Sequence, residues 1–587
     1  MALRASLIAA AFLAALLPAD RASAGGFYLA PRGTGPLGRG GAMVAGANDP
    51  HAVWYNPAGL AWSGDQLMLD ATLTLFETTF TRIDGGGNTL RPVRGHHPYL
   101  PIPTLGGSFS IDELPAWTFA LTLQAPNSAL MEWPNEPDAP QRYSLLSLEG
   151  SLLATAAAAA AWRPIEELSI GLAAHLLVGS FDATVALSAC DGVICSFPED
   201  PEYDGVANIA LPTVFPLFVL GAVVQPIDAL KIGFSVSTPF NLEGSARLRV
   251  RPPNAAAFQG AEVVNRSPGC NHENESDPCR QNTRADTQLE FPWVFRLGVE
   301  VTPTPGLRVE AAAVYETWSV QDAARIVPRD VWIEGALGGG LEYEVGPLSI
   351  PRQMNDTISL RLGGELDIDV VTARLGVSYE NGAFSDAYLT PLTIDSDKLI
   401  FSGGATVRFS DEVALDAVVG YLWMASRSVR NSAVPQANPI RPPGSEVETV
   451  YVGNGDYEMG APFFGLSVRW RLDAGNLRGP GNEAPEPDTD ERPAATEPAS
   501  SEPAPSTDGS TQDGSTPWYL QGQSTSAQPA VPDDGADDAA TEAAPEPPEP
   551  EAAPETAPET ARERRIRIRR ERRQRQRERR QRRRRAR

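Results

Sequence analysis

The sequence predicts an all-β protein that crosses a membrane as a closed antiparallel barrel. Residues 1–24 have the layout of a secretory leader, and many later segments alternate apolar with polar side chains. Aromatic residues recur at the ends of those segments, as at Trp117, Trp423 and Trp470, which is typical of the interfacial girdles of membrane barrels. Because every backbone donor in lipid needs a partner, a sheet that spans a membrane must close on itself.

Residues 1–24 are predicted to be a signal peptide that is removed on export. Arg4 precedes an apolar core at residues 7–17, and the leader ends in Ala22-Ser23-Ala24. A short apolar core before an A-x-A site is the usual pattern of a secretory signal. The mature chain is therefore expected to begin at Gly25. No later run reaches the roughly 18 uncharged apolar residues that a spanning helix needs.

Residues 25–65 are predicted to form an irregular segment that plugs the barrel. Residues 25–42 read GGFYLAPRGTGPLGRGGA, and so many glycines and prolines disfavour a regular helix or strand. The segment nevertheless carries large apolar side chains such as Trp54 and Tyr55, which need an enclosed place. The segment is expected to end in a turn at Asn56, Pro57, Ala58 and Gly59, because proline and glycine favour turns.

Residues 66–472 are predicted to form the barrel wall. The clearest hairpin places Leu297, Val299 and Val301 before a turn at residues 303–306. A second apolar row follows the turn at Leu307, Val309, Ala311, Ala313 and Tyr315. The opposite face of the hairpin is charged, with Arg296, Glu300, Arg308, Glu310 and Glu316. We expect that face to line the lumen, where opposite charges can pair across neighbouring strands, and to form a packed interior rather than a substrate path.

Longer polar segments interrupt the alternation and are expected to be outer loops, because the inner turns of a membrane barrel are short. These segments are residues 83–97, 127–142, 190–206, 252–284, 319–356 and 428–453.

The four cysteines are predicted to form two local disulfides within these loops. Cys190 lies near Cys195, and Cys270 lies near Cys279. Four cysteines allow three connectivities, and local pairing is favoured because neighbours in a small loop meet first. Disulfides suit an oxidising compartment outside the cytosol, although free thiols remain an alternative. A zinc site is disfavoured because no CxxC spacing is present, so no metal is predicted.

The C-terminal region separates into two parts of opposite charge. Residues 473–560 are rich in Pro, Ala and acidic residues and should be disordered, because they carry few core-forming side chains. Residues 561–587 contain 17 Arg and three Glu. An Arg block can bind nucleic acid, but behind a leader and a barrel we expect no nucleic acid. Envelope polyanions, acidic lipid head groups or the acidic linker are the expected partners.

Several motifs together carry a family resemblance. They are Gly26-Phe27, LGRGGA at 37–42 and YNPAG at 55–59, followed by FPWVFRLGVEV from Phe291, NDTISLRLGGE from Asn355, YLTPLTIDSDK from Tyr388 and GNGDYEMGAPFFGLSVRWRL from Gly453. With these motifs, residues 25–472 resemble the FadL/TodX family of outer-membrane transporters of long-chain fatty acids and other hydrophobic molecules. The Arg-rich tail departs from that family, whose chains normally end on the last strand.

The resemblance implies a barrel of about 14 strands, closed by an N-terminal hatch. It places Phe27 in the high-affinity ligand site and implies a lateral exit near Asn56, Pro57 and Ala58, where the hatch faces a kinked early strand. The expected function is capture of a long-chain fatty acid or similar hydrophobe by a monomer in the outer membrane, in contact with its lipid, without a cofactor.

Three alternatives differ from this function in class. A structural barrel could merely anchor the basic tail, and a general porin would hold an open channel. A hydrolase is disfavoured, because a serine-histidine relay needs a histidine beside a nucleophile. None of the five histidines has such a setting; they are His51, His96, His97, His175 and His272.

Overall fold

The structure is a computed structural model that describes residues 32–97, 99, 101–124, 131–190, 195, 197–440 and 449–472. The leader, Phe27, the acidic linker and the Arg-rich tail lie outside the described residues. Within them, no helix has both the length and the apolar character needed to cross a membrane.

The described strands are numbered in chain order. They are β1 (Gln66–Thr74), β2 (Glu77–Arg82), β3 (Val93–Gly95), β4 (Ile102–Ser110), β5 (Trp117–Gln124), β6 (Leu152–Ile165), β7 (Leu168–Ser188), β8 (Asp204–Ile227), β9 (Leu230–Ser237), β10 (Asn241–Arg251), β11 (Glu262–Asn265), β12 (Arg284–Glu290), β13 (Val294–Thr304), β14 (Leu307–Glu316), β15 (Ala323–Pro328), β16 (Val331–Gly335), β17 (Leu341–Glu344), β18 (Leu348–Pro351), β19 (Thr357–Ile368), β20 (Val371–Glu380), β21 (Lys398–Arg408), β22 (Val413–Met424), β23 (Arg427–Val429) and β24 (Gly455–Arg471).

The helical pieces of the described residues are short. Three of these are α-helical, namely α1 (Thr34–Gly38), α2 (Ala52–Tyr55) and α3 (Ala336–Gly339). Five are 3-10 helices, at Pro57–Trp62, Pro201–Tyr203, Ala256–Phe258, Trp318–Val320 and Asp386–Tyr388.

Twenty-one of the described strands form one antiparallel sheet that closes into a barrel. The barrel wall has fourteen staves, where a stave is one crossing of the wall made by one or more assigned strands. Closure joins the first stave to the last, since β1 pairs with β24 from Gln66↔Arg471 to Thr74↔Phe463. Some staves contain two described strands, as where β13 continues from β12. The predicted fold class and the strand number are therefore confirmed.

The two faces of the wall differ as the alternation predicts. Leu121 and Leu466 point outward and are 59% and 60% exposed, whereas Asp70 points inward and is buried. The predicted hairpin is β13 with β14, which pair through Leu297↔Ala313 and Val299↔Ala311. Outward side chains are thus apolar, as contact with lipid requires.

The two ends of the barrel also differ. Two-residue turns join β6 to β7, β8 to β9, β13 to β14 and β19 to β20, and β24 finishes at the same end. We call this the inner end and the opposite one the outer end, because membrane barrels keep short turns on the periplasmic side and long loops outside.

Three of the segments that the sequence analysis assigned to outer loops contain whole strands. Residues 83–97 include β3, residues 252–284 include β11, and residues 319–356 include β15 to β18. β11, β16 and β17 form a separate three-stranded sheet, which we call the outer cap. Its Val264 and Ile333 are buried. The loop prediction failed here because the β11 to β16 pairing joins segments more than sixty residues apart, which local polarity does not reveal.

Candidate functional site

Residues 32–62, called here the N-terminal segment, lie against the inner face of the wall. Leu37, Val44, Tyr55 and Leu60 are all buried. The 3-10 helix Pro57–Trp62 contacts β6, β7 and β8, while α1 contacts β21 and β22. The segment therefore touches opposite sides of the barrel and occupies its lumen.

Wall glycines allow this segment to approach the sheet closely. A Cβ atom placed on Gly376 would lie 1.9 Å from the Gly40 nitrogen, and one placed on Gly171 would lie 2.3 Å from the Ala58 nitrogen. Any larger residue at these positions would collide with the backbone of the segment. Backbone packs on backbone here, which explains why an irregular, glycine-rich chain fits inside a regular sheet.

Buried charges fix the centre of the segment. Nη2 of Arg39 lies 2.7 Å from Glu300 Oε2 and 3.1 Å from Glu310 Oε2. Glu300 and Glu310 face each other across β13 and β14. Arg39 thus separates two carboxylates that would otherwise repel each other, and removal of one member of such a buried group costs several kcal/mol.

Glu310 also accepts hydrogen bonds from three consecutive backbone amides. The Val44 and Ala45 nitrogens donate to Oε1 at 2.6 and 2.9 Å, and the Gly46 nitrogen donates to Oε2 at 2.9 Å. These bonds satisfy backbone groups that an irregular segment cannot pair within itself. One wall carboxylate therefore holds both a side chain and the main chain of the segment.

A histidine between two carboxylates forms a second attachment. His51 Nδ1 lies 3.2 Å from Asp49 Oδ1, and its Nε2 lies 3.7 Å from Oδ2 of Asp70 on β1. The Thr34 nitrogen donates to the same Asp70 oxygen at 2.8 Å. Burial disfavours the charged ring and lowers its pKa, but the carboxylates of Asp49, Asp70 and Asp416 together outweigh burial and raise the pKa of His51 above its ordinary value.

The predicted gate residues are packed against β7 and β8. Asn56 Nδ2 donates to the carbonyls of Val44 at 2.8 Å and Ala222 at 3.2 Å, and Asn56 Oδ1 accepts from the Ala58 nitrogen. Pro57 and Gly59 are buried. The four residues therefore brace the end of the N-terminal segment in this conformation.

The cysteines lie at the outer end of the barrel. Cys190 is bonded to Cys195, and Cys270 is bonded to Cys279. Among the described residues, no group of three or more His, Cys, Asp or Glu side chains is arranged to hold a metal ion.

An apolar cavity of about 120 Å³ lies at the outer end, between the wall and the loops. Its polar lining includes Gln288, Arg325 and Arg352; the Arg352 Nη1 atom donates to Gln321 Oε1 at 2.9 Å. Its apolar lining includes Phe181, Val185, Ile209, Leu211, Leu248, Leu289, Ile326 and Leu348. Sequence reasoning did not find this site, because its lining comes from many separated segments.

A groove of about 820 Å³ lies on the outward face of β4 to β8. Ala156, Ala158 and Ala174 line it together with bulkier residues such as Leu121 and Phe218. Small side chains between large ones create the depression. Near it, β5 ends at Gln124, which pairs with Thr104 and Thr155.

Comparisons with known proteins agree with this architecture. The model of the family described as outer membrane protein transport protein (OMPP1/FadL/TodX) matches residues 15–471. A 47 kDa outer membrane protein of Pasteurella multocida (strain Pm70) is 32% identical over 84 residues. That match covers 14% of this chain and 19% of the relative, so the aligned part spans about a fifth of the relative's length.

Solved structures share the fold at low sequence identity. A Pseudomonas aeruginosa FadL homologue has a TM-score of 0.60 and 18% identity, covering 76% of this chain and 100% of that one. The P. putida toluene transporter TodX has a TM-score of 0.51 and 14% identity, covering 76% of this chain and 99% of that one.

Replacement of Arg39 by Met should loosen the N-terminal segment without preventing barrel assembly. Glu300 and Glu310 would be left uncompensated in the lumen, at a cost of about 3–5 kcal/mol. We expect a lower melting temperature and larger ion conductance in planar bilayers. Arg91→Met is the matched control, because the Arg91 pair with Glu136 is half-exposed. Equal melting and conductance in both variants would contradict the anchoring role.

His51 should make stability depend on pH. Because its folded pKa lies above the ordinary value of 6.5, its contribution is complete below about pH 6.5 and is lost as pH rises through the folded pKa. Melting curves between about pH 5 and pH 9 should show this loss. The variant His51→Gln should flatten that dependence, whereas His272→Gln, at a more exposed site, should keep it.

Proposed function

Because the chain belongs to the OMPP1/FadL/TodX family of outer membrane transport proteins, we propose that it imports small hydrophobic molecules by capture at the outer end and lateral release through the wall. The family places the protein in the outer membrane as a transport barrel. The substrates proposed are long-chain fatty acids or single-ring hydrocarbons. The proposed function is transport alone and includes no covalent change of the substrate.

The outer cavity is the observation that carries the proposal. Its lining is almost wholly apolar, and an apolar surface captures a hydrophobe by burial at ~0.8 kcal/mol per CH2 group. An apolar cavity of roughly 150 Å³ stays dry and can hold benzene. A volume of about 120 Å³ therefore suits one aromatic ring or one end of an acyl chain, and a whole fatty acid would extend beyond it.

The anchoring of the N-terminal segment supports a lateral route. A path straight to the inner end would require Arg39 and the amides of Val44 to Gly46 to leave Glu310. A path through the wall near the end of β5 leaves these contacts intact and leads to the groove on β4 to β8. In this proposal the N-terminal segment is the hatch, the region around Asn56 and Pro57 stiffens it, and Phe27 contacts the ligand.

A general porin and a structural anchor for the basic tail each leave a described feature of the barrel unexplained. A general porin needs an open lumen, whereas residues 32–62 are packed inside this one. A barrel that only anchors the basic tail has no use for an apolar cavity at its outer end. The Arg-rich tail itself is proposed to contact an envelope polyanion as an additional tether.

Filling the outer cavity should block capture. Ala183 lines the cavity, and Ala183→Phe should reduce uptake of radiolabelled toluene or oleate by about tenfold, because the added ring occupies the space that the substrate buries. Ala256→Phe, at an exposed position of the outer end, is the control. Unchanged uptake by Ala183→Phe, at equal amounts of folded barrel, would count against capture in this cavity.

Filling the outward groove should slow release but leave capture unchanged. Ala158 lines the groove, and Ala158→Trp should lower uptake while binding to purified protein stays at the wild-type level. Ala417→Trp is the control, because Ala417 points outward from β22, away from the groove. If both variants transport equally well, the substrate does not leave by this route.

A further inference from the structure

Four buried polar side chains lie on the inner face of β5 to β8, above the N-terminal segment. Thr122 and Gln124 are on β5, His175 is on β7 and Thr213 is on β8; each is 5% exposed or less. Polar groups buried to this extent normally have hydrogen-bond partners. Among the described residues, Thr122 Oγ1, Gln124 Nε2, His175 Nδ1 and Thr213 Oγ1 have none.

Strand register brings Thr122, Gln124 and His175 together. Thr122 pairs with Ala157, and Ala157 pairs with His175. Adjacent strands lie about 4.8 Å apart, so Thr122 and His175 lie on the same inner face of the wall, with the methyl group of Ala157 between them. Gln124 is the next inward residue of β5 and pairs with Thr155.

The contacts of His175 define what its free nitrogen can bind. Nε2 lies 3.1 Å from the Val53 carbonyl oxygen, and a carbonyl only accepts, so Nε2 carries the hydrogen. Nδ1 is then an acceptor. Trp54 packs edge-on against the ring with centroids 5.7 Å apart, which fixes the orientation of the imidazole.

These residues lie on the inner face below the outer cavity. Phe181 and Leu211 line the cavity, and the inward positions that follow toward the inner end include Leu177 and Phe215, which are only half-buried. His175 comes next along β7, immediately above Val53. A solute that moves along this apolar face reaches a donor and an acceptor before it reaches the N-terminal segment.

We propose that Thr122, Gln124 and His175 form a subsite for the hydroxyl group of an otherwise apolar substrate, such as a phenol or a long-chain alcohol. The substrate O–H donates to His175 Nδ1, and its oxygen accepts from Gln124 Nε2 and from the hydroxyl of Thr122, while its ring or chain contacts Leu177 and Phe215. A plain hydrocarbon leaves these buried groups without partners, which costs binding free energy. The inference rests on the proposed function, because it assumes that hydrophobes enter the lumen.

The test compares binding of p-cresol and toluene, which differ by one hydroxyl group. Full-length protein in lipid nanodiscs is titrated with each isotope-labelled compound, and protein-free nanodiscs give the partitioning background. Wild-type protein should bind p-cresol about tenfold more tightly than toluene, since a site built to bond a hydroxyl discriminates against analogues that lack it. Toluene binding itself reports on the proposed function.

Three variants and one control complete the test. The three single variants are Thr122→Val, which is nearly isosteric, Gln124→Leu and His175→Leu. Each should bring the affinities for p-cresol and toluene within about twofold of each other. Toluene affinity should be equal to or higher than the wild-type value, because the apolar replacements remove the buried polar groups that toluene would leave unpaired. Ser169→Ala is the control, because Ser169 Oγ already donates to the Ala58 carbonyl at 2.8 Å, and it should keep the preference.

The outcomes separate the two proposals. If neither toluene nor p-cresol binds, the proposal that single-ring hydrocarbons are substrates is overturned, and this inference with it. Equal binding of both compounds by wild-type protein, or a p-cresol preference that all three variants retain, overturns the subsite alone; the polar atoms are then satisfied by water. If His175→Leu does not fold, because it also removes the contact with Val53, the result for Thr122→Val and Gln124→Leu decides.

Discussion

The interaction between Glu310 and the N-terminal segment holds that segment inside the lumen of the barrel. A closed barrel that satisfies its own backbone in lipid leaves an interior that would pass water and ions. The Glu310 carboxylate binds Arg39 and the amides of Val44 to Gly46 at one point. A charge buried in this way is tolerated only while its partners remain, so the wall and the segment stabilise each other.

Close contact between backbones complements this electrostatic attachment. Gly171 and Gly376 on the wall let Ala58 and Gly40 approach to distances that a side chain would forbid. The half-buried inward positions lie on the parts of β7 and β8 that lead toward the outer cavity, and in the proposed function a hydrophobe passes over them without displacing the segment.

In the proposed function, capture and selection of the substrate occur at different places along the path. The outer cavity is almost wholly apolar and discriminates weakly, because burial of one more methylene changes affinity by ~0.8 kcal/mol. The polar groups of Thr122, Gln124 and His175 offer directional hydrogen bonds in a buried setting, where an unmade bond is costly. The two proposals together imply that transport of apolar compounds and preference among them can be changed by separate substitutions.

The sequence by itself determined the elements that depend on local properties. Alternation with a period of two predicted the β13 and β14 hairpin. Glycine and proline content predicted an irregular segment at residues 25–65, and its described part, residues 32–65, contains short helical pieces and no strand. Both follow from the geometry of a few consecutive residues. The one local sequence feature that points to a role for His175 is that it is a polar residue at an inward-facing position of an otherwise apolar strand. Phe27 and the basic tail remain predictions.

Only the tertiary structure decided which distant residues meet. Arg39 reaches Glu300 and Glu310 over 261 and 271 positions of the chain, and β11 pairs with β16 across a long insertion. The outer cavity and the row from Thr122 to His175 likewise arise from register between strands. Register is fixed by closure of the whole sheet through β1 and β24, a constraint on all staves at once that no single stretch of sequence contains.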